Sequence, residues 1–261
     1  MPFAFSTVTR KAELAQNAKN HIQYMEENHG REISESIVNT ELYSPGAEFS
    51  SVGPKDKPET VVCDMSLVEA AKRHKRRTNT CILNPSSYRN RGGLFLKGHF
   101  SQEEELCHES ALYNVLDSFR DFYSDNKNNL NHGFYTNRAL YSPSVPFDRP
   151  DEDVYFMFDV LTCAAPNLSA ASQHDLGENI AEINSEILME RIDFIKGIVE
   201  EQGVETFVLG AWGCGNFGQD ENEVAQLFSE SFSVTTVKKI VFAIPRKKNA
   251  KAYTVFKKYF G

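Results

Sequence analysis

From residue 60 to its end the chain alternates short apolar runs with amphipathic stretches of helical period, and few folds accommodate that order. The apolar runs are Thr60–Cys63, Cys81–Leu83, Val154–Thr162, Thr206–Leu209 and Ile240–Ile244. Between them, Ser66-x-x-Glu69 is a capping box opening a helix that runs into Lys72, Arg73, His74, Lys75, Arg76 and Arg77. Further helices are predicted over about 102–119, 180–202, 221–231 and 248–259, with residues 120–138 left as polar loop. In the longest, Ile183, Ile187, Ile192, Ile195 and Val199 lie on or near one face, and Gly203 ends it. Strands interleaved with helices bury both sheet faces. The fold class is therefore α/β, an α/β/α sandwich around a mixed, mostly parallel sheet.

Ahead of this core, Ala12, Ala15, Ala18, Ile22 and Met25 repeat at helical spacing, which predicts a helix from Arg10 to about Asn28, stopped by Gly30. Residues 39–59 hold Pro45, Gly46, Gly53, Pro54 and Pro58 and read as a loop-rich connection with at most a short strand. The charge balance of 28 Lys plus Arg against 36 Asp plus Glu, a net −8, argues against a generic nucleic-acid binder, which needs a basic surface. At 41% hydrophobic and 25% charged the composition is that of a globular protein, which excludes disordered and collagen-like classes. No run approaches the roughly 18 apolar residues of a membrane span. Cys63, Cys81, Cys107, Cys163 and Cys214 are scattered without a CxxC pair, so neither a zinc nor a disulfide framework is expected, and a reducing cytoplasm fits.

Ligands of open α/β sheets bind beyond the carboxyl ends of strands, so the loops there are the places to search. Three are unusual: residues 84–101, with Gly92, Gly93 and Gly98; residues 162–167; and residues 210–218, which carry Gly210, Gly213, Gly215 and Gly218 between a strand and a helix. The last is a phosphate-cradle candidate, because glycines let successive amides converge on an anion at a helix N-terminus. It is neither a Walker loop nor a GxGxxG, and a tight strand-to-helix turn accounts for it equally well. Glu103, Glu104 and Glu105 open the helix after the first loop. Ser101-x-x-Glu104 reads as a capping box, yet a carboxyl group beside such a loop is also what glycosidic cleavage needs as a general acid.

The run Leu83–Leu94, a seven-residue spacer and then Gln102-Glu103-Glu104 resembles the signature of the bacterial-type poly(ADP-ribose) glycohydrolase family. Similarity continues through residues 140–147, 159–167 and 208–220. The resemblance implies one macrodomain-like domain over 1–261, with 1–59 an N-terminal helical extension and loop and 60–261 the core. It implies Glu104 as the acid that protonates the ribose–ribose glycosidic oxygen, and Glu103 and Asn84 at the reacting ribose. Gln102, Gly92 and Gly93 would bind nearby, Gly213, Cys214, Gly215, Asn216 and Gly218 would cradle the diphosphate, and Phe217 would pack on a ribose. The implied partner is poly(ADP-ribose), attacked mainly from chain ends with release of ADP-ribose, by a monomer needing no metal and no cofactor.

The chain departs from the family pattern at Leu94, where a third glycine is usual, and at Arg91, where proline is common. If position 94 requires positive φ, leucine is strained there. That leaves open a hydrolase of ADP-ribosylated protein, nucleic acid or a small ester, or a reader that binds ADP-ribose without turnover. Other residues have plainer readings: the basic run as a solvated helix end, His99 and His108 as local histidines, Cys214 as a small residue in a turn, and Trp212 and Tyr88 as either adenine platforms or core.

Overall fold

The computed structural model describes residues 3–51, 53–75, 79–150, 154–175, 177 and 179–261. Its strands are β1 Glu41–Tyr43, β2 Glu59–Cys63, β3 Thr80–Pro85, β4 Ala139–Phe147, β5 Phe156–Cys163, β6 Thr206–Leu209 and β7 Lys239–Ala243. They form one sheet in the order β1-β4-β5-β3-β6-β7-β2. From β5 to β2 all neighbours are parallel, whereas β4 runs antiparallel to β5 and β1. The helices are α1 Phe3–Val38, α2 Leu67–His74, α3 Gln102–Glu109, α4 Leu112–Asp117, α5 Arg120–Asn128, α6 Leu168–Ala171, α7 Ile180–Glu201, α8 Glu221–Ser231 and α9 Ala250–Phe260.

Alternation along the strands builds two cores. Cys81, Leu83, Phe207 and Leu209 join Leu188, Ile192 and Ile195 of α7, Val224 and Phe228 of α8 and Phe256 of α9. The intervening Ile82 and Val208 face the other way, toward Met25 of α1, Val68 of α2, Leu106 of α3 and Val115 of α4. This is the expected three-layer arrangement. Each such fully buried side chain contributes about 1.5–3 kcal/mol.

Four elements differ from expectation. The first helix does not stop at Gly30 but continues to Val38 past a kink at His29 (φ −132°, ψ 23°). The kinked turn is tethered by Asp148, whose Oδ2 lies 2.7 Å from His29 Nε2 and accepts from the Tyr24 hydroxyl at 2.8 Å. The predicted helix over 102–119 is broken at Ser110, which is extended (φ −155°) and whose hydroxyl donates to the Leu106 carbonyl at 2.7 Å. Residues 120–128 are helical, burying Phe122, Tyr123 and Asn126, a face too short to show a period. Strand β4 was masked by Pro143 and Pro146. Both lie past the Ala139–Tyr141 segment that β1 covers, in the half where β4 has no second strand, and the register shifts between Ser142 and Val145.

No helix among the described residues is long and apolar enough to cross a membrane. Of the basic run, Arg76 and Arg77 lie outside the described residues, while the Lys72 and Lys75 ammonium groups sit over the Phe156 ring at 5.2 and 4.2 Å.

Candidate active site

Strand β3 is the central strand of the seven, with β5 on one side and β6 on the other. The chain therefore leaves its carboxyl end in one direction and later returns on the opposite side, which opens a crevice above β3. Asn84 is buried near the end of β3, its Nδ2 donating to Thr162 Oγ1 at 3.3 Å and reaching Glu103 Oε1 at 3.5 Å. Its Oδ1 has no partner among the described residues.

Glu103 and Glu104 occupy the first turn of α3 and are both buried. Glu103 Oε2 accepts the Ser87 amide at 2.7 Å. Burial pushes the Glu103 carboxyl well above the ordinary carboxylate range, and neighbouring Glu104 adds to the shift. Glu104 Oε1 accepts the Leu94 amide at 2.8 Å, and Oε2 accepts both the Ser101 amide at 2.9 Å and the Ser101 hydroxyl. The reach back to the Ser101 amide is half of a capping box, so this carboxyl group caps its helix and faces the loop at once.

Gly92 and Gly93 bend the preceding loop with φ of 57° and 61°. A Cβ at Gly93 would meet Glu103 Oε2 at 2.8 Å and collide with Glu104 Oε1, so bare backbone is what lets this turn lie on the acid pair. Leu94 needs no such freedom, because its φ is −113°. The leucine is thus compatible with the loop, and its amide contributes a donor to Glu104. Arg91 Nε donates to Asp117 at 2.8 Å and serves to fix the loop from outside.

The second glycine loop closes the other side. A Cβ on Gly210 would strike the Gln102 amide at 2.6 Å, which packs this loop against the start of α3. Gly213 and Gly218 take φ of 80° and 74°. Gln219 anchors the loop's end, its Nε2 donating to the Pro166 carbonyl at 2.9 Å and to Asn184 at 2.8 Å. Among the described residues the amides of Gly215, Asn216 and Phe217 donate to no backbone carbonyl, while Gly218 and Gln219 turn inward to Gly215 and Gly213. Gly215 and Asn216 are exposed. Three consecutive unspent amides thus precede the N-terminus of α8, an arrangement with the donors an anion requires.

An aromatic wall completes the site, and sequence reading missed its centre. Tyr88 and Tyr135 stack at 4.2 Å and 9°, with Phe217 edge-on to Tyr135 at 6.1 Å. Tyr135 has φ 62°, a costly value for a tyrosine, and nothing in its local sequence signals the role. Tyr88 is nevertheless buried, its hydroxyl bonded to Thr136 at 2.8 Å, and Trp212 is core, its Nε1 donating to the Cys163 carbonyl at 3.1 Å. Burial raises the Cys214 thiol, the reverse of what a nucleophile needs. His99 lies beside Lys11, and burial pushes His108 down to about 4. No group of three or more His, Cys, Asp or Glu side chains among the described residues is placed to hold a metal ion.

Both candidate loops therefore pack against the first turn of α3, which carries the acid pair. The structure is similar to the poly(ADP-ribose) glycohydrolase of Thermomonospora curvata bound to the inhibitor ADP-HPD, with TM-score 0.81 and 25% identity, covering 95% of this chain and 99% of that one. The enzyme of Deinococcus radiodurans in complex with ADP-ribose matches with TM-score 0.74 and 26% identity over 87% of this chain and 96% of that one. No curated protein sequence matches. The model of the microbial-type PARG catalytic domain matches residues 10–150, which is more than half of the 261-residue chain, and the protein belongs to that family.

Proposed function

We propose that this chain hydrolyses the ribose–ribose O-glycosidic bonds of poly(ADP-ribose), working from chain ends and releasing ADP-ribose. The observation that carries the reading is the juxtaposition of a buried acid pair with a glycine turn lying directly on it and a second glycine loop, carrying a row of unspent amides, that packs on the start of the same helix. Glu104 gives its proton to the departing ribose oxygen as positive charge develops at the anomeric carbon; a water then adds to that carbon and gives up a proton to the Glu104 carboxylate, which restores the acid. Between the two steps the Leu94 amide and the Ser101 amide and hydroxyl stabilise the carboxylate left behind, with no reorganisation at the moment of transfer. Glu103 holds a hydroxyl of the reacting ribose, with Asn84 Oδ1 as a second polar anchor. Gly213–Gly218 hold the diphosphate through backbone amides, with Phe217 beside the adjoining ribose. The negative φ of Leu94 supports turnover over a binding-only role, because it removes the strain on which inactivity would rest. Monomeric action in the cytoplasm is part of the same proposal, and five buried free cysteines fit a reducing compartment.

The test uses Glu104→Gln, which keeps the size of the side chain and one acceptor oxygen, for either the Leu94 amide or the Ser101 donors, and has no acid proton to give. Wild type is expected to release ADP-ribose from the purified polymer, and the variant to lose about 10²–10⁴-fold in rate while still binding ADP-ribose. An inactive wild type that binds ADP-ribose tightly would overturn the hydrolase in favour of a reader.

A further inference from the structure

Arg191, midway along α7, is 1% exposed and has no carboxylate partner among the described residues. Its donors go to neutral acceptors: Nε to Asn137 Oδ1, Nη1 to the Ala164 carbonyl at 2.8 Å and Nη2 to the Phe134 carbonyl at 3.1 Å. A buried guanidinium bonded only to carbonyl oxygens keeps its full charge in a medium that screens it poorly, an arrangement that costs stability unless an anion comes near.

The acceptors belong to two segments that touch the second glycine loop. Ala164 precedes Ala165, whose Cβ lies where a side chain on Gly213 would touch it at 3.0 Å. Phe134 and Asn137 bracket Tyr135, the strained tyrosine that meets Phe217 of the same glycine loop. Bracing alone does not explain a cation. Seven residues earlier on the same helix, Asn184 anchors the glycine loop with a neutral, reciprocal amide pair to Gln219, at 2.9 and 2.8 Å. Two clamps hold one wall, and the one joined to the loops behind the amide cradle carries the charge.

We propose that Arg191 is a positioning residue whose uncompensated charge is directed at the ligand's diphosphate: it braces the loops behind the cradle and supplies, from behind the wall, the positive potential that the glycine amides alone provide only as dipoles. The inference rests on the reading of Gly213–Gly218 as the diphosphate site. It adds one buried cation to the amide dipoles in the protein's grip on a dianion, and a preference for ligands carrying phosphate follows from it.

Binding of ADP-ribose and of uncharged adenosine is measured by calorimetry for wild type, Arg191→Lys and Arg191→Gln. Expected is a loss of about tenfold or more in ADP-ribose affinity for Arg191→Gln, partial retention in Arg191→Lys, and adenosine affinity unchanged in both. Polymer hydrolysis by Arg191→Gln should show the loss in KM with kcat within a few-fold. Equal losses for both ligands, with Arg191→Lys no better than Arg191→Gln, mark a brace without an electrostatic role and overturn the proposal, as does unchanged ADP-ribose affinity. Should Arg191→Gln fail to fold, the assigned guanidinium resonance of Arg191 in the wild-type protein decides. It must shift with saturating ADP-ribose and not with adenosine, and a resonance indifferent to both overturns the proposal. A wild type that binds no ADP-ribose overturns the glycohydrolase reading itself, a result distinct from any failure at Arg191.

Discussion

At the scale of single residues, position 94 shows how a motif departure is settled by backbone geometry. Glycine at 92 and 93 is required by φ of 57° and 61° and by the absence of room for a Cβ, whereas Leu94 sits at −113°. Leu94→Gly should therefore change the rate of ADP-ribose release by less than about tenfold, measured as kcat/KM on polymer, since no strain is there to relieve. Glu103 gives a prediction of opposite sign for stability and activity. Its carboxyl is raised above its unfolded value, so the folded protein binds the extra proton and loses stability as pH rises through the unfolded pKa of about 4.5 and beyond. Glu103→Gln, uncharged at every pH, should be more stable than wild type at pH 8 in urea unfolding and equal to it near pH 4, while hydrolysing polymer more slowly. The roles of Glu103 and Glu104 are suggested by the QEE run, but their burial and their contact with Gly93 are tertiary facts.

At the scale of elements, the helices and strands with a clear period were the legible ones. Helix α7 is twenty-two residues long with its apolar positions in register, and it was read nearly to its ends. Helix α1 was misread because Gly30 is a stop signal only where nothing else holds the chain. Here Asp148, far away in sequence, receives hydrogen bonds from His29 and Tyr24 and keeps the helix going past its kink. Burial opposes ionisation of Asp148, but those bonds outweigh it and hold its pKa below the usual value. Its contribution is present above the unfolded pKa and is lost as pH falls through the folded one. Asp148→Asn should lower stability by about 1–3 kcal/mol at neutral pH, seen as a lower Tm, with the difference from wild type shrinking as acid protonates Asp148. Strand β4 was illegible for the complementary reason: its two prolines are tolerated only because β1 stops short and leaves that half without a second strand.

At the scale of the whole molecule, a net charge of −8 has to coexist with binding of a polyanion. The two are compatible if one terminal unit is gripped by backbone amides and a buried cation, with little attraction from bulk charge. Several surface cations are committed elsewhere: Lys248 to Glu105 at 2.9 Å, Arg246 to Asp64 at 2.7 Å, and Lys72 and Lys75 over Phe156. ADP-ribose affinity should accordingly change little between about 50 and 200 mM salt, where a surface releasing many counterions would lose orders of magnitude. A steep slope by calorimetry would mean that exposed lysines and arginines do the binding.

The α/β class, the succession of the main strands and helices along the chain, the two glycine loops and the acid pair are readable from the amino acids alone, because periodicity, capping and glycine's backbone freedom act over a few neighbouring residues. That Leu94 is unstrained, that Trp212 is core, that Tyr135 takes a positive φ against Phe217, and that Arg191 is buried on carbonyl oxygens are facts of the tertiary fold. Each of those depends on which segments the sheet order brings together: β5 and β6 flank β3, and their loops meet across distances in sequence that no local pattern spans.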